Sequence, residues 1–188
     1  MSRTIAAGIG LMEYPFRTTS GFWRWVDLCE QGGVDSIWQS DRIVSRTPIL
    51  ECMTALAAIA GRTRRIKFGV NVVAAALRDP VLLAKQCATI DVLSEGRMLP
   101  AFGIGSPRGA EWDAMHLDRT TRGRKTDEAL EIISRLWKGE SVTYDGKHFR
   151  LTSASRTSSP CRCIASAATS SYAMYSLFTR ASRSCPGR

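Results

Sequence analysis

Hydrophobic and polar positions alternate in blocks along the first 150 residues. Short apolar runs, bounded by charge or proline, are each followed by a longer amphipathic stretch. Ile5 to Met12 reads as a buried strand. A helix follows, with Thr19 or Ser20 as its cap, Phe22, Val26 and Cys29 on one face, and Gly32-Gly33 at its end. A second strand is expected over Val34 to Gln39. A second helix opens with Thr47 as cap and Pro48 in its first turn, then runs Ala-rich to Gly61. The third strand spans Ile66 to about Ala74, and Asp79-Pro80 starts a third helix that reaches about Leu93. The fourth strand is Met98 to Ile104. After a loop with Pro107 and Gly109, a helix runs from about Arg122 to Lys138 with Leu130, Ile133 and Trp137 on one face. Val142 to Leu151 forms a hairpin turning at Asp145-Gly146.

The four strands begin near residues 5, 34, 66 and 98. Strand and helix alternating at this pitch imply parallel strands with right-handed crossovers. Two architectures satisfy that pattern, an eight-unit barrel and a doubly wound sheet. A barrel needs roughly 250 residues, and four units make about half of one.

Charge changes the picture only at the end of the chain. The net charge of +9 suggests a nucleic acid or an anionic surface as partner. Residues 1–145 hold 19 basic and all 17 acidic side chains, whereas residues 146–188 hold 7 basic and none acidic. The body is near neutral, and no aromatic-basic platform accompanies the charge, so nucleic-acid binding is not expected. From Thr152 the composition shifts: Ser, Arg, Ala, Thr, Cys and Pro make up 30 of the last 37 residues. The chain therefore divides into a folded unit, 1–151, and a tail, 152–188. The tail is read as a frameshift or aberrant gene end, with a disordered basic tail as the competing reading.

No apolar run approaches the ~20 residues of a membrane span, and the first sixteen residues lack the pattern of a signal peptide. Cys29, Cys52 and Cys87 lie far apart in expected helices, which suits reduced thiols in a cytoplasm. Cys161-Arg-Cys163 lacks the spacing of a zinc site, so no metal is expected.

Several segments, in order, resemble one family. They are Gly33-Val-Asp-Ser-Ile-Trp-Gln-Ser-Asp-Arg42, Arg78-Asp-Pro-Val-Leu-Leu-Ala-Lys-Gln86, Thr89-Ile-Asp-Val-Leu-Ser-Glu-Gly-Arg97, Gly103-Ile-Gly105, Arg122-Gly-Arg-Lys-Thr-Asp-Glu-Ala-Leu130, Leu136-Trp-Lys-Gly-Glu140 and Tyr144-Asp-Gly-Lys-His-Phe149. Together they resemble the luciferase-like flavin or deazaflavin oxidoreductases, the bacterial luciferase superfamily. The resemblance implies a (β/α)8 TIM barrel, here truncated to about four units and followed by an irregular tail. It also implies FMN or the deazaflavin coenzyme F-420 at the C-terminal ends of the strands, a small organic substrate, and hydride transfer or monooxygenation. Relatives often dimerise through helices 2 and 3. The alternative is a non-catalytic fragment or interaction module of the same ancestry.

The resemblance also proposes site residues. Asp41 and Arg42 fall just past strand 2, where relatives carry an acidic residue and a histidine near the reactive face of the ring. Arg42 stays protonated at neutral pH, so it suits an anion or substrate clamp rather than a base. Asp41 and Arg42 could equally pair with each other or cap the next helix. Many relatives have a non-prolyl cis peptide after strand 3, and gapless matching places it at Asn71–Val72, behind the ring. Gly103 and Gly105 let backbone approach a flat ring, and Ser106 can donate a hydrogen bond. Their spacing to Gly109 is wrong for a dinucleotide fingerprint. By gapless matching Arg108 falls where some relatives carry an acidic catalytic residue, with Glu111 nearby.

Overall fold

The computed structural model describes residues 6–155. Strands β1 (Gly8–Leu11), β2 (Ser36–Gln39), β3 (Lys67–Val70) and β5 (Met98–Leu99) form one parallel sheet in the order β1-β2-β3-β5. A second parallel pair, β4 (Val73–Ala74) with β6 (Phe102–Gly103), continues the third and fourth strands. The order is sequential and never reverses. A doubly wound sheet reverses its strand order at a switch point, so the barrel reading holds and the open-sheet reading is dropped.

Helices α1 (Thr19–Gln31), α2 (Cys52–Arg62), α3 (Pro80–Leu93) and α5 (Arg122–Trp137) pack on one side of these strands. The single large core includes Ile37, Phe68, Val70 and Met98 from the strands, with Val26, Leu56, Leu83 and Ile133 from the helices. The Trp38 indole projects to the opposite side, as successive side chains alternate along a strand. Trp38 lies over Gly8 and Gly69, where a Cβ would overlap its ring, and donates its N–H to Ser36 Oγ at 2.9 Å. Ile9 on β1 is 43% exposed, consistent with an unpaired edge among the described residues.

Several element boundaries differ from expectation, each for a local reason. β1 is shorter than Ile5 to Met12, and Ile5 lies outside the described residues. The cap of α1 is Thr18, whose Oγ1 accepts the N–H of Gly21 at 3.2 Å. The largest correction is α2. It starts at Cys52 rather than near Thr47 because Glu51 caps it, accepting the N–H groups of Met53 (3.2 Å) and Thr54 (2.8 Å). The Pro48 carbonyl is occupied by the N–H of Tyr14 at 2.7 Å. The third strand breaks at Asn71–Val72, which is a cis peptide as expected. The fourth breaks at Pro100, which has no N–H to give a ladder. The cap at Asp79 stands as expected, accepting the N–H of Leu82 at 2.9 Å with Pro80 in the first turn.

Two short helices sit in the loop after β6: α4 (Glu111–Ala114) and a 3-10 turn over Arg119–Thr121. The buried face of α5 is Ala129, Ile132, Ile133, Leu136 and Trp137, with Leu130 only half-buried. Arg119 pairs with Asp113, and Lys125 sits 5.5 Å above the Phe149 ring. Strands β7 (Val142–Asp145) and β8 (Arg150–Ala154) make the hairpin. Glu128 on α5 fastens its turn by accepting the N–H groups of Lys147, His148 and Phe149 at 3.0, 2.9 and 3.1 Å. The tail from 156 onward lies outside the described residues.

Candidate functional site

A cavity of about 720 Å³ opens at the C-terminal ends of the strands, within the range of small-molecule and cofactor sites. Three stretches of chain line it: Ser40 to Arg42 after β2, the Asn71–Val72 bulge with Ala74, and Phe102 to Ser106. Met12 overhangs the rim, 71% exposed. Leu77, Glu111 and Trp112 complete the wall. Asp41, Arg42, Asn71, Val72, Gly103, Gly105 and Ser106, the seven residues singled out from the sequence, all border this one cavity.

The two glycines have separate local reasons. Gly105 has φ of +74°, and a Cβ there would stand 3.1 Å from the Trp112 ring. A Cβ on Gly103 would press on the Val72 side chain. Ser106 is held by its neighbours: its carbonyl accepts the Trp112 indole N–H at 2.8 Å, and its hydroxyl accepts the Arg108 N–H at 3.2 Å. Trp112, 1% exposed, thus ties the loop after β6 to the small apolar cluster of Ala74, Ala76 and Leu77.

Asp41 does not pair with Arg42. Its carboxylate is 2% exposed and bonded to Arg78 through two parallel contacts, Nη1 to Oδ2 at 2.6 Å and Nη2 to Oδ1 at 2.7 Å. Oδ2 also accepts the Ala74 N–H at 2.8 Å. Asp41 therefore clamps the segment that follows the cis bond, while Arg42 is exposed at the cavity rim. Arg78 also reaches Glu51 at 3.2 Å, which links the clamp to the start of α2. Burial alone would lower the pKa of Arg78, and the Asp41 carboxylate outweighs it, so the guanidinium stays charged. Cys52 lies beside them, with its thiol 3.4 Å from Asp41. Burial, reinforced by the charge of Asp41, holds that thiol protonated well above the usual range, so it is no nucleophile.

Burial would raise the pKa of Glu51. The hydrogen bonds from Thr54, Met53 and Arg78 outweigh that and hold it down to about 2, against an ordinary 4.5. A carboxylate with a depressed folded pKa adds stability that is complete above its unfolded pKa and fades as pH falls toward the folded one. Urea midpoints should therefore drop between pH 4.5 and about 2. Glu51→Gln should flatten that limb. An unchanged acid limb in the variant would refute the assignment.

Sequence reading did not give Arg78, Glu51, Cys52 or Trp112 a role at the site. Arg78 and Asp41 are 37 positions apart. The one available signal was an arginine beside a helix-starting Asp-Pro, facing the end of strand 2. Among the described residues, no group of three or more His, Cys, Asp or Glu side chains could hold a metal ion. No helix there is long and apolar enough to cross a membrane.

The model of the luciferase-like monooxygenase family matches residues 7–182. The chain belongs to this family. The matched range runs past Thr152, so it does not stop at the shift in composition. An F420-dependent glucose-6-phosphate dehydrogenase of Amycolatopsis mediterranei is 32% identical over 136 residues, covering 66% of this chain and 40% of that protein. Limonene 1,2-monooxygenase of Rhodococcus erythropolis is 42% identical over 90 residues, 47% of this chain and 22% of that one. Among solved structures, monooxygenase RslO1 from Streptomyces bottropensis superposes with a TM-score of 0.74 at 24% identity, over 83% of this chain and 50% of its own. The oxygenating constituent of 3,6-diketocamphane monooxygenase from Pseudomonas putida, in complex with FMN, gives 0.68 at 23%, over 79% and 44%. The chain thus spans about 40% of the dehydrogenase and half or less of these structures, and the fold it shares with them is the luciferase-like barrel.

Proposed function

We propose that residues 6–151 form the ring-binding side of an oxidoreductase site for FMN or the deazaflavin coenzyme F-420, acting on a small organic molecule. The observation that carries this reading is the convergence of the seven sequence-selected residues on one cavity at the strand ends. The wall fits a flat ring. Residues of the 71–74 and 103–106 segments line it, and a Cβ at Gly105 would press on Trp112 and Ala74 behind it. When bound, the coenzyme supplies hydride transfer, or oxygen activation from its reduced form. The protein's own part is to bind and orient. Asn71, Val72, Gly103 and Gly105 shape the surface under the ring. Ser106 offers a hydroxyl at its edge. Arg42 presents a permanent positive charge at the rim for an anionic group of coenzyme or substrate. Asp41 acts through Arg78 and Ala74, holding the bulge in place.

The phosphate site that barrels place after strands 7 and 8 lies beyond these four units. The chain covers about half of its structural neighbours; a second reading is a non-catalytic half-barrel module of the same ancestry. We place the folded unit at 1–151 and the tail at 152–188, although β8 carries the ladder on to Ala154, with the protein in the cytoplasm, where the buried free thiols of Cys29, Cys52 and Cys87 would stay reduced. A homodimer through α2 and α3 is part of the same reading, and nucleic acid is not. Fluorescence titration of the purified chain with FMN and with the deazaflavin coenzyme decides between the readings. Saturable binding in the micromolar range, weakened by Gly105→Val, is expected for the enzyme. No binding of either would leave the module.

A further inference from the structure

Glu111 is the cavity's unused carboxylate. The residue is 5% exposed, it borders the cavity, and its carboxylate makes no hydrogen bond or ion pair with any described residue. The other carboxylate on the wall, Asp41, is fully engaged by Arg78 and Ala74. The little surface Glu111 keeps faces the cavity, and its oxygens are not among the sealed, unpartnered atoms of the described residues, so a donor held in the cavity can reach them and would satisfy a charged acceptor. The backbone makes room for it. Oε2 lies over Gly109, where any Cβ would overlap it, and the Gly109 N–H is turned away to the Ser106 carbonyl at 3.1 Å. Leu77, Gly105 and Trp112 line the same cavity, and Arg42 brings the opposite charge at its rim.

We propose that Glu111 anchors the substrate, accepting a hydrogen bond from a hydroxyl or a protonated amine, and that a carboxylate is disfavoured in place of that donor. This assigns the substrate class for the oxidoreductase reading and rests on it for its biological meaning. The ligand preference itself needs no coenzyme, which keeps the two separable.

The test uses the full chain and three probes of one shape: benzylamine, which is protonated at neutral pH, benzyl alcohol and benzoate. Binding is measured by ligand-observed NMR titration for the wild type, Glu111→Gln and Gly109→Ala. The wild type should prefer benzylamine and benzyl alcohol to benzoate. Glu111→Gln should weaken benzylamine about tenfold, the loss of one hydrogen bond to a charged group, with benzoate unchanged or tighter. Gly109→Ala should shift the same ratio in the same direction by displacing the carboxylate. Should Gly109→Ala fail to fold, Glu111→Gln, which keeps the side-chain shape, carries the test. A benzylamine-to-benzoate ratio that Glu111→Gln moves less than twofold overturns the inference, as does a wild type that binds benzoate best or none of the three. Coenzyme titrations run in parallel separate the failures. Glu111-dependent selectivity without coenzyme binding overturns only the oxidoreductase reading. Coenzyme binding with selectivity indifferent to Glu111 overturns only this one.

Discussion

Arg78→Ala is expected to lower the unfolding free energy by about 3–5 kcal/mol, the usual effect of removing one partner from a buried ion pair. The magnitude follows from what remains. Asp41 would keep a carboxylate with 2% of its side chain exposed, still facing the Ala74 N–H but with no cation. Glu51 would lose its contact as well, so the start of α2 loosens with the clamp. Arg78→Lys restores the charge but not the two parallel bonds, and should recover only part of the loss. The double variant Asp41→Asn, Arg78→Met should be less destabilised than Arg78→Ala alone, because it leaves no uncompensated charge. Urea unfolding followed by circular dichroism measures all four proteins. An Arg78→Ala midpoint equal to the wild type would show that the pair is not what holds Asp41.

Trp112→Ala is the second large effect, about 3–5 kcal/mol for a large aromatic removed from a packed interior. Trp112 is 1% exposed, touches the Gly105 position and donates to the Ser106 carbonyl at 2.8 Å. The alanine variant loses packing, the bond and one wall of the cavity together. Trp112→Phe separates these contributions. It keeps most of the apolar contact and loses one hydrogen bond, so about 1 kcal/mol is expected. If coenzyme binds as proposed, its affinity should fall much further in the alanine than in the phenylalanine variant. Equal affinities in the two would place the ring away from this wall.

What the sequence made readable was local or periodic. Asp79-Pro80 starts α3 as expected because cap and proline act within one turn. The strand order was open between two architectures, and only the sequential pairing of β1, β2, β3 and β5 decided it. The start of α2 was misplaced because Thr47-Pro48 carries a stronger local signal than Glu51. Glu51 caps α2 while held by Arg78 from a distant segment. The cavity residues were legible through the resemblance, which carries spacing along each strand end. The partner of Asp41 was not, because no periodicity links positions 41 and 78. Glu111 was named only as lying near a family position, and its place on the cavity wall, like its burial, is a property of packing.

The buried thiols have one more consequence. Cys29, Cys52 and Cys87 sit on α1, α2 and α3, one to each helix, with exposures of 4%, 1% and 0%. Burial raises all three thiols, Cys87 to about 12. Alkylation needs an exposed thiolate, so each sulfur can be trapped only when its own helix lifts from the strands. Peptide mapping after timed alkylation would then read three independent clocks from the natural chain. Their relative rates give the order in which this half barrel comes apart.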